Sequence, residues 1–343
     1  MTGFTSGVKV GRKIGNGHFG QVHEALDPAH GDVAVKILRR GVTLDDANWA
    51  NYKEFHLGEA KRLSRAEHRN VVKVHYVVEG DGGDSVAICM AFCPGGSLQE
   101  QFERGPMTLS EVKRVGTQVL HGLGALHQRG MLHRDIKPAN ILIDADAVAQ
   151  LGDFGLVTDD LVLGYGSQAG YSDHIAYEVW NGVGTSAKSD IWALGMTLYR
   201  LLHGKTWYDE SPDPRDLVRH GGFADTLRWL PHVPKDWRRV IRKMLADDTA
   251  KRFQSAQQAL NGIAPLSVEP AWETKVADDL IEWQRTKGQR RLRVEWKRLS
   301  ARKHEWRAWS EPLKLGRDRS LGQSKGIVGR HKAETDLRDF LCG

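Results

Sequence analysis

The hydrophobic pattern of this sequence changes its period at one turn, formed by Pro94, Gly95 and Gly96. Before the turn, short runs rich in β-branched residues are separated by glycines, which is typical of an antiparallel sheet. Residues 45–63 interrupt these runs with apolar positions at helical spacing. After the turn the pattern is mainly helical. Strands followed by helices predict an α+β chain with two lobes.

The same hydrophobic periodicity predicts the bounds of the individual strands and helices. The predicted strands cover residues 8–14, 21–26, 33–38, 71–78 and 85–92. The predicted helices cover residues 45–63, 109–129, 188–203, 235–246 and 255–262. We therefore place a small, strand-rich lobe at residues 1–93 and a larger, helical lobe at residues 94–264.

Length and composition exclude several classes of protein. The 343 residues exceed the size at which a single hydrophobic core stops growing. Hydrophobic residues make up 40% and charged residues 27%, so the chain is not intrinsically disordered. Apolar stretches stay well short of the roughly 20 residues that cross a bilayer, and the first residues lack a secretion-signal pattern. We expect a cytoplasmic protein with no membrane partner, whose three cysteines stay reduced.

A third segment, residues 265–343, begins near Pro265, where helix breakers coincide with a change in composition. Residues 271–343 contain 18 Lys and Arg against 11 Asp and Glu, together with five of the 11 tryptophans. Leu292, Trp296 and Leu299 recur at helical spacing, which predicts that residues 271–309 are helical. The remainder is more polar, and we expect little order there before residues 337–341.

Three interpretations of this basic, tryptophan-rich, partly helical extension stay open. In the first interpretation, the tryptophans of the extension pack on the helical lobe and its arginines face solvent. Alternatively, residues 271–343 bind an acidic protein partner, a substrate or a cognate antagonist, or inhibit the chain itself. The third interpretation is nucleic-acid binding, which basic residues between aromatic ones favour but for which no known module is present.

A glycine cluster lies between the first two predicted strands. Gly15, Gly17, Gly20 and Val22 fit the pattern GxGxxGxV. By itself this pattern is also found in dinucleotide-binding folds and in hairpins without a ligand. The dinucleotide version opens a helix, whereas here a strand follows. Lys36, 16 residues later in a β-branched run, favours a flap that closes over phosphates while a lysine reaches them.

A lysine buried near phosphates needs a counter-charge to stay protonated. Glu59, on the predicted helix 45–63, is the candidate partner of Lys36. Glu54 is the alternative, and Leu63, one turn after Glu59, favours Glu59 because it gives the helix an inward face there.

The segment of residues 132–143 carries the most specific chemistry. Asp135 is suited to orient a hydroxyl, Lys137 to neutralise a transferred phosphate, and the amide oxygen of Asn140 to hold a metal ion. Pro138 keeps this stretch from becoming a helix. Asp153 comes thirteen residues after Asn140, in an Asp-Phe-Gly triplet, and its carboxylate is suited to Mg²⁺.

In this order and spacing the motifs resemble those of the eukaryotic-like (Hanks-type) serine/threonine protein kinases, over residues 8 to about 263. Three further segments agree, namely 68–70, 190–195 with its buried acid Asp190, and Arg252 as the partner of Glu178. The resemblance implies a two-lobed kinase fold with a small antiparallel-sheet lobe carrying one helix and a larger, mainly helical lobe. By analogy we expect a bacterial or phage-borne regulator, such as a toxin or defence kinase.

The resemblance also implies the cofactors and the site residues. ATP and Mg²⁺ are the expected ligands, and proteins are the expected substrates. The implied catalytic residues are Asp135, Lys137, Lys36 and Glu59. The implied metal ligands are Asn140 and Asp153. The implied nucleotide pocket consists of Ile14, Gly15, Gly17, Gly20, Val22, Ala34, Lys36, Met90, Ala91, Cys93 and Leu142. Lys137 resembles the serine/threonine branch of the family rather than the tyrosine branch.

The sequence departs from the family pattern before Glu178. Tyr171 replaces a threonine, His174 replaces a tyrosine and Tyr177 replaces a proline, which leaves the substrate motif open. Phosphorylation in the segment 153–178, paired with Arg134, is the expected form of activation, and the acids at 159–160 are the alternative source of negative charge. A pseudokinase scaffold and a small-molecule phosphotransferase are the alternative functions.

Overall fold

The computed structural model describes residues 7–17, 20–41, 45–64, 67–80, 82–152, 172–211 and 213–343, without the side chains of residues 16, 17, 55, 56, 59–63 and 172. Within these residues, no helix combines the length and hydropathy that crossing a bilayer requires.

The N-terminal part is a five-stranded antiparallel sheet with one helix, as the hydrophobic pattern predicts. The strands are β1 (Lys9–Gly17), β2 (Gly20–Asp27), β3 (Gly31–Arg39), β4 (Val74–Glu79) and β5 (Ser85–Ala91). They are ordered β1-β2-β3-β5-β4, and helix α1 (Asp46–Ser64) packs against β4. The central strand β3 is buried along most of its length, from Val33 to Leu38. Its register places Lys36 between Val22 of β2 and Ile88 of β5.

A helical region follows, as predicted. Its helices are α2 (Leu98–Arg104), α3 (Leu109–His127), α4 (Tyr177–Trp180), α5 (Ala187–Asp209), α6 (Pro214–His220), α7 (Phe223–Thr226), α8 (Lys235–Met244) and α9 (Ala256–Ile263). A two-stranded hairpin, β6 (Ile141–Ile143) and β7 (Ala149–Leu151), lies between α3 and α4. Thr108 and Glu111 form a capping box that begins α3.

Helix α5 forms the centre of the helical region. Ser186 caps its N-terminus, and Ile191, Trp192 and Leu194 have no exposed surface. Gly204 bends the helix with a φ of 69°, and a side chain there would collide with the backbone of Gly105. One end of α5 faces the segment 132–143, and its other end faces the C-terminal extension.

The extension is a second antiparallel sheet, so the prediction that residues 271–309 are helical is wrong. Its strands are β8 (Glu273–Val276), β9 (Leu280–Lys287), β10 (Arg290–Ser300), β11 (Lys303–Pro312) and β12 (Arg319–Gln323), ordered β12-β11-β10-β9-β8. Helix α10 (Arg330–Cys342) closes the chain and is longer than the predicted ordered segment 337–341.

The burial of alternate residues explains this error. On β10, Val294 and Trp296 are buried, whereas Leu299 is 53% exposed and does not continue the predicted helical stripe. On β9, Ile281 and Trp283 are buried. A separation of four residues fits a helix face and also a strand face, because four is a multiple of two. Packing of the alternate tryptophans therefore prevails over the helix propensity of the arginines, lysines and glutamates between them.

The tryptophans of this C-terminal sheet (β8–β12) pack on the helical region, which is the packing that the first interpretation of the extension describes. The indole N–H of Trp283 donates to Nδ1 of His232 at 3.0 Å. The rings of Trp296 and Trp207 lie 6.4 Å apart. The indole N–H of Trp272 donates to the carbonyl of Leu341, which ties α10 to the sheet. Both parts therefore share one continuous hydrophobic core.

A cluster of ion pairs joins the same two parts. Glu210 follows α5 directly and pairs with Arg228 at 3.0 Å within the helical region. It also pairs with Arg298 of β10, and Arg330 of α10 lies 3.9 Å away. Because the Arg298 side chain is only 9% exposed, water screens this pair weakly.

Three buried histidines make the stability of this fold depend on pH. Burial lowers the pKa of His174, His203 and His232 to about 3, and Arg238 is the cation that faces His232. Histidine in an unfolded chain titrates near about 6.5. Below this pH the unfolded state binds more protons, so the free energy of unfolding falls as the pH falls, by up to about 1.4 kcal/mol per pH unit for each histidine.

We predict that His232→Gln reduces this pH dependence by about one proton, because glutamine keeps an acceptor for Trp283 but does not titrate. Urea unfolding at several pH values between 7 and 4 measures the slope. The control is His331→Gln on α10, whose exposed ring is hydrated in both states. A His232→Gln protein with the wild-type slope would contradict the prediction.

Candidate active site

Asp135, Lys137 and Asn140 form one hydrogen-bonded group. The ammonium of Lys137 donates to Oδ2 of Asp135 at 2.8 Å. The side-chain amide of Asn140 donates to the same oxygen at 2.7 Å and to the backbone carbonyl of Asp135 at 2.8 Å. Pro138 begins the 3₁₀ turn Pro138–Asn140, whose tight geometry brings Asn140 back toward Asp135. Since the amide nitrogen of Asn140 faces Asp135, its oxygen points away from that carboxylate.

The buried carboxylate of Asp190, near the start of α5, holds the backbone that precedes this group. It accepts from the N–H of His133 at 3.0 Å and from the N–H of Arg134 at 2.8 Å. Nε2 of His127 lies 2.8 Å from the same carboxylate. Arg134 has a positive φ of 67°, which is unfavourable for a residue with a side chain. The hydrogen bonds to Asp190 stabilise this conformation of Arg134 and so set the direction of the backbone at Asp135.

His133 links this loop to the segment that leads to Asp153. Its Nδ1 accepts from the backbone N–H of Asp135 at 3.3 Å, so Nε2 carries the proton and donates to the carbonyl of Gly152 at 3.2 Å. The N–H of Gly152 in turn donates to the carbonyl of Asn140 at 2.9 Å. Asp153 itself lies outside the described residues. Gly152, the residue before Asp153, nevertheless lies beside Asn140.

Lys36 is only 4% exposed on β3. Glu59, its predicted partner, belongs to α1, but its side chain lies outside the described residues, so this ion pair stays a prediction. Glu54, the alternative partner, is exposed. Helix α1 packs against β4 of the sheet that carries the lysine, and the predicted pairing requires this arrangement.

The remaining nucleotide residues are predicted to surround a cleft between the N-terminal sheet and β6. On the sheet side, Ala34 is opposite Met90 in the ladder, and Gly15 is opposite Val22. The strand segment continues through Ala91, whose N–H donates to the carbonyl of Lys73. Ile14, at the edge of the cleft, is 42% exposed.

The connection after Ala91 is hydrogen-bonded to β6. Gly95 and Gly96 exchange backbone hydrogen bonds with Ile143, and a side chain at Gly95 would collide with Ile143. Leu142, which also forms a backbone bridge with Ser97, is therefore held next to the connection that leaves the N-terminal sheet. Cys93 contacts Gln150 on β7, and burial raises the pKa of its thiol to about 11, so this cysteine is not a nucleophile.

Arg252 and Glu178 form the buried ion pair that the sequence predicts. Two parallel bonds of 2.7 and 2.9 Å join the guanidinium to the carboxylate. The guanidinium also donates to the carbonyls of Lys188 and Ala246. The pair therefore connects α4, the start of α5 and the chain before α9 at one point.

The atypical His174 belongs to a polar cluster that the sequence analysis missed. Nε2 of His174 accepts from Arg200 at 2.7 Å, and Arg200 also pairs with Asp173 at 3.2 Å. The Tyr208 hydroxyl donates to Asp173, and the Arg200 guanidinium stacks over Phe102 at 4.2 Å. A charge inside the apolar run of α5 was the available signal for Arg200. Tyr177 begins α4, whereas Tyr171 lies outside the described residues.

Comparison with known proteins identifies relatives for the first three quarters of the chain. Residues 8–262 match the family model of the protein kinase domain. The serine/threonine-protein kinase PrkC of Bacillus subtilis is 31% identical over 253 residues, which cover 72% of this chain and 38% of PrkC. The serine/threonine-protein kinase pkn2 of Myxococcus xanthus is 31% identical over 271 residues, 75% of this chain and 32% of pkn2. The chain thus spans less than half the length of these relatives.

We predict that Glu178→Gln lowers the free energy of unfolding by about 3–5 kcal/mol, because it leaves the buried charge of Arg252 without its counter-charge. Urea unfolding at pH 7 measures the loss. Asp236→Asn, which breaks an ion pair with Arg239 on the surface of α8, is the matched control and should cost less than about 1 kcal/mol. Equal losses in the two variants would contradict the prediction.

Proposed function

The chain belongs to the protein kinase family, and on this basis we propose that it transfers the γ-phosphoryl group of ATP to serine or threonine hydroxyls of proteins, its own chain included. The observation that carries the proposal is the convergence of Lys137 and Asn140 on one oxygen of Asp135. This arrangement places a base, a cation and an amide within one hydrogen-bonded group. Phosphoryl transfer depends mainly on such positioning and on charge stabilisation.

Asp135 is the proposed residue that orients the acceptor hydroxyl and accepts its proton. Its backbone direction is set by the bonds of the preceding residues to Asp190. Lys137, held against Asp135, is close enough to steady the phosphoryl group during transfer. The side chain of Lys137 is the feature that favours serine and threonine over tyrosine substrates in this proposal.

Mg²⁺ is the proposed metal, and the residues fit it. Asn140 directs its amide oxygen away from Asp135, and Asp153 follows Gly152, whose N–H is bonded to the Asn140 backbone. Oxygen ligands of this kind are those that Mg²⁺ prefers. When bound, the metal would neutralise phosphate charge.

The nucleotide is proposed to occupy the cleft between the N-terminal sheet and β6. Lys36 would contact its phosphates with Glu59 as counter-charge, beneath the glycine flap. The residues proposed to enclose the nucleotide are Ile14, Gly15, Gly17, Gly20, Val22, Ala34, Met90, Ala91, Cys93 and Leu142. Ala34 and Met90, which are opposite each other in the sheet, would form with Leu142 an apolar wall that suits an adenine ring.

Cellular setting and partners are also proposals. We place the protein in the cytoplasm, where Cys89, Cys93 and Cys342 would stay reduced, as they are in the structure. Activation by phosphorylation between residues 153 and 178 concerns a segment that lies mostly outside the described residues. The extension 271–343, with its basic excess, is proposed to bind an acidic protein partner or antagonist.

We predict that Asp135→Asn lowers the rate of phosphate transfer by about 10²- to 10⁴-fold, because asparagine cannot accept the hydroxyl proton. Labelled ATP with Mg²⁺ measures transfer to the chain itself and to serine, threonine and tyrosine peptides. The control is Asp146→Asn in the exposed turn between β6 and β7, which should keep the wild-type rate.

Chelation of Mg²⁺ should abolish transfer by the wild-type protein. Equal rates for Asp135→Asn and the wild type would remove Asp135 from the mechanism. A wild-type protein that binds ATP without transferring phosphate to any peptide would instead support the scaffold function.

A further inference from the structure

The basic excess of the C-terminal sheet is concentrated at one end rather than on its outer face. On the face, cations alternate with acids and pair with them. Arg293 pairs with Glu311 at 2.9 Å, and Arg307 pairs with Glu295 at 2.8 Å. The face is therefore close to neutral, and it offers no continuous positive surface.

The end of the sheet formed by the β9–β10 turn and the β11–β12 connection differs. We call it the distal tip, defined as Lys287, Arg291 and residues 313–321. All nine residues of 313–321 are exposed, as are Lys287 and Arg291. The tip contains five cations, Lys287, Arg291, Lys314, Arg317 and Arg319, and one acid, Asp318. Its charge is strongly positive as a result.

The distal tip also exposes apolar side chains. Leu315 is completely exposed, at 105% of its reference surface, while Leu313 and Leu321 are each 44% exposed. Three exposed leucines within nine residues, beside five cations, are an apolar group of the kind that binding surfaces present.

Contacts with the strands hold the distal tip in place. The Arg290 guanidinium donates to the Arg317 carbonyl at 3.1 Å and to the Ser310 carbonyl at 2.6 Å. The N–H of Leu313 donates to the carbonyl of Gln289 at 3.0 Å. A loop fixed in this way loses little entropy when it binds a partner.

The tip lies at the other end of β10 from the ion pairs of Glu210. Arg298, eight positions after Arg290 on the same strand, forms the ion pair with Glu210. A strand rises about 3.4 Å per residue, so Arg290 and Arg298 lie roughly 27 Å apart along β10. A partner at the tip would leave the ion pairs of Glu210 undisturbed.

Strand β12 adds an open edge beside these side chains. It pairs with β11 on one side, and no strand pairs with its other side within the described part of the chain. The register passes from Ser320 to Gly322, so Leu321 forms a bulge that turns toward solvent. Free backbone groups on such an edge can bind the backbone of an extended peptide.

From these observations we propose that the distal tip and the β12 edge bind an extended, acidic segment of a partner protein, with Leu315 as the apolar anchor. The inference specifies the partner surface of the function proposed above and does not depend on catalysis. A lipid surface fits less well, because one fully projecting leucine is a small anchor where even a myristoyl chain binds only reversibly. Nucleic acid also fits less well, because residues 313–321 contain no aromatic residue on which a base could stack.

Fluorescence anisotropy tests the proposal on the full chain without nucleotide. The probe is a labelled extended peptide in which glutamate and valine alternate, and the matched probe has glutamine in place of glutamate. We expect binding of the glutamate peptide alone. Reversal of two tip charges, Lys314→Glu with Arg317→Glu, should weaken it at least about tenfold. Leu315→Ser, which keeps every charge, should weaken it about threefold or more.

The control variant, Arg302→Glu with Lys303→Glu, reverses two exposed charges at the opposite hairpin and should change binding less than about twofold. Equal weakening by the control would show attraction to net charge alone and would overturn the proposal. Tighter binding to phosphatidylserine vesicles or to single-stranded oligothymidine than to the peptide would also overturn it. Circular dichroism confirms that each variant is folded. Phosphate transfer is measured separately, so a failure here is distinct from a failure of the kinase proposal.

Discussion

The hydrogen bonds that the carboxylate of Asp190 accepts from the backbone of His133 and Arg134 organise the candidate active site. An almost fully buried carboxylate is costly unless donors surround it, and here two backbone N–H groups and His127 do so. These bonds hold Arg134 at a positive φ and so direct Asp135 toward Lys137 and Asn140. Helix α5 thus carries the carboxylate from which the proposed catalytic groups are positioned.

The same helix ends at Glu210, where the C-terminal sheet is attached through arginines and packed tryptophans. The five strands of the N-terminal sheet and the helices α1, α3, α5, α8 and α9 could be predicted from their hydrophobic period, whereas the short helices α2, α4, α6 and α7 were not predicted. The C-terminal sheet could not, because Leu292 and Trp296 fit both a helix and a strand. Only contact with residues far away in sequence, such as His232 with Trp283, decides between the two.

The grouping of Asp135, Lys137 and Asn140 could be predicted because all three lie within six consecutive residues and Pro138 restricts the turn between them. The pairing of Glu178 with Arg252 was available only through the family resemblance. The cluster of Asp173, Arg200 and Tyr208 was missed, because these residues are far apart in sequence and the motif that surrounds Asp173 departs from the family pattern. The spacing of residues that are close in sequence therefore identifies the candidate catalytic group. The buried polar contacts between residues far apart in sequence can be identified only from the three-dimensional structure.

A crystal structure with a non-hydrolysable ATP analogue and Mg²⁺ is the most direct test of this account. The account predicts that oxygens of Asn140 and Asp153 both coordinate one Mg²⁺ at about 2.1 Å, and that the ammonium of Lys36 bonds to a phosphate of the same nucleotide. An ordered nucleotide whose metal contacts neither Asn140 nor Asp153, or whose phosphates lie out of reach of Lys36, would contradict it.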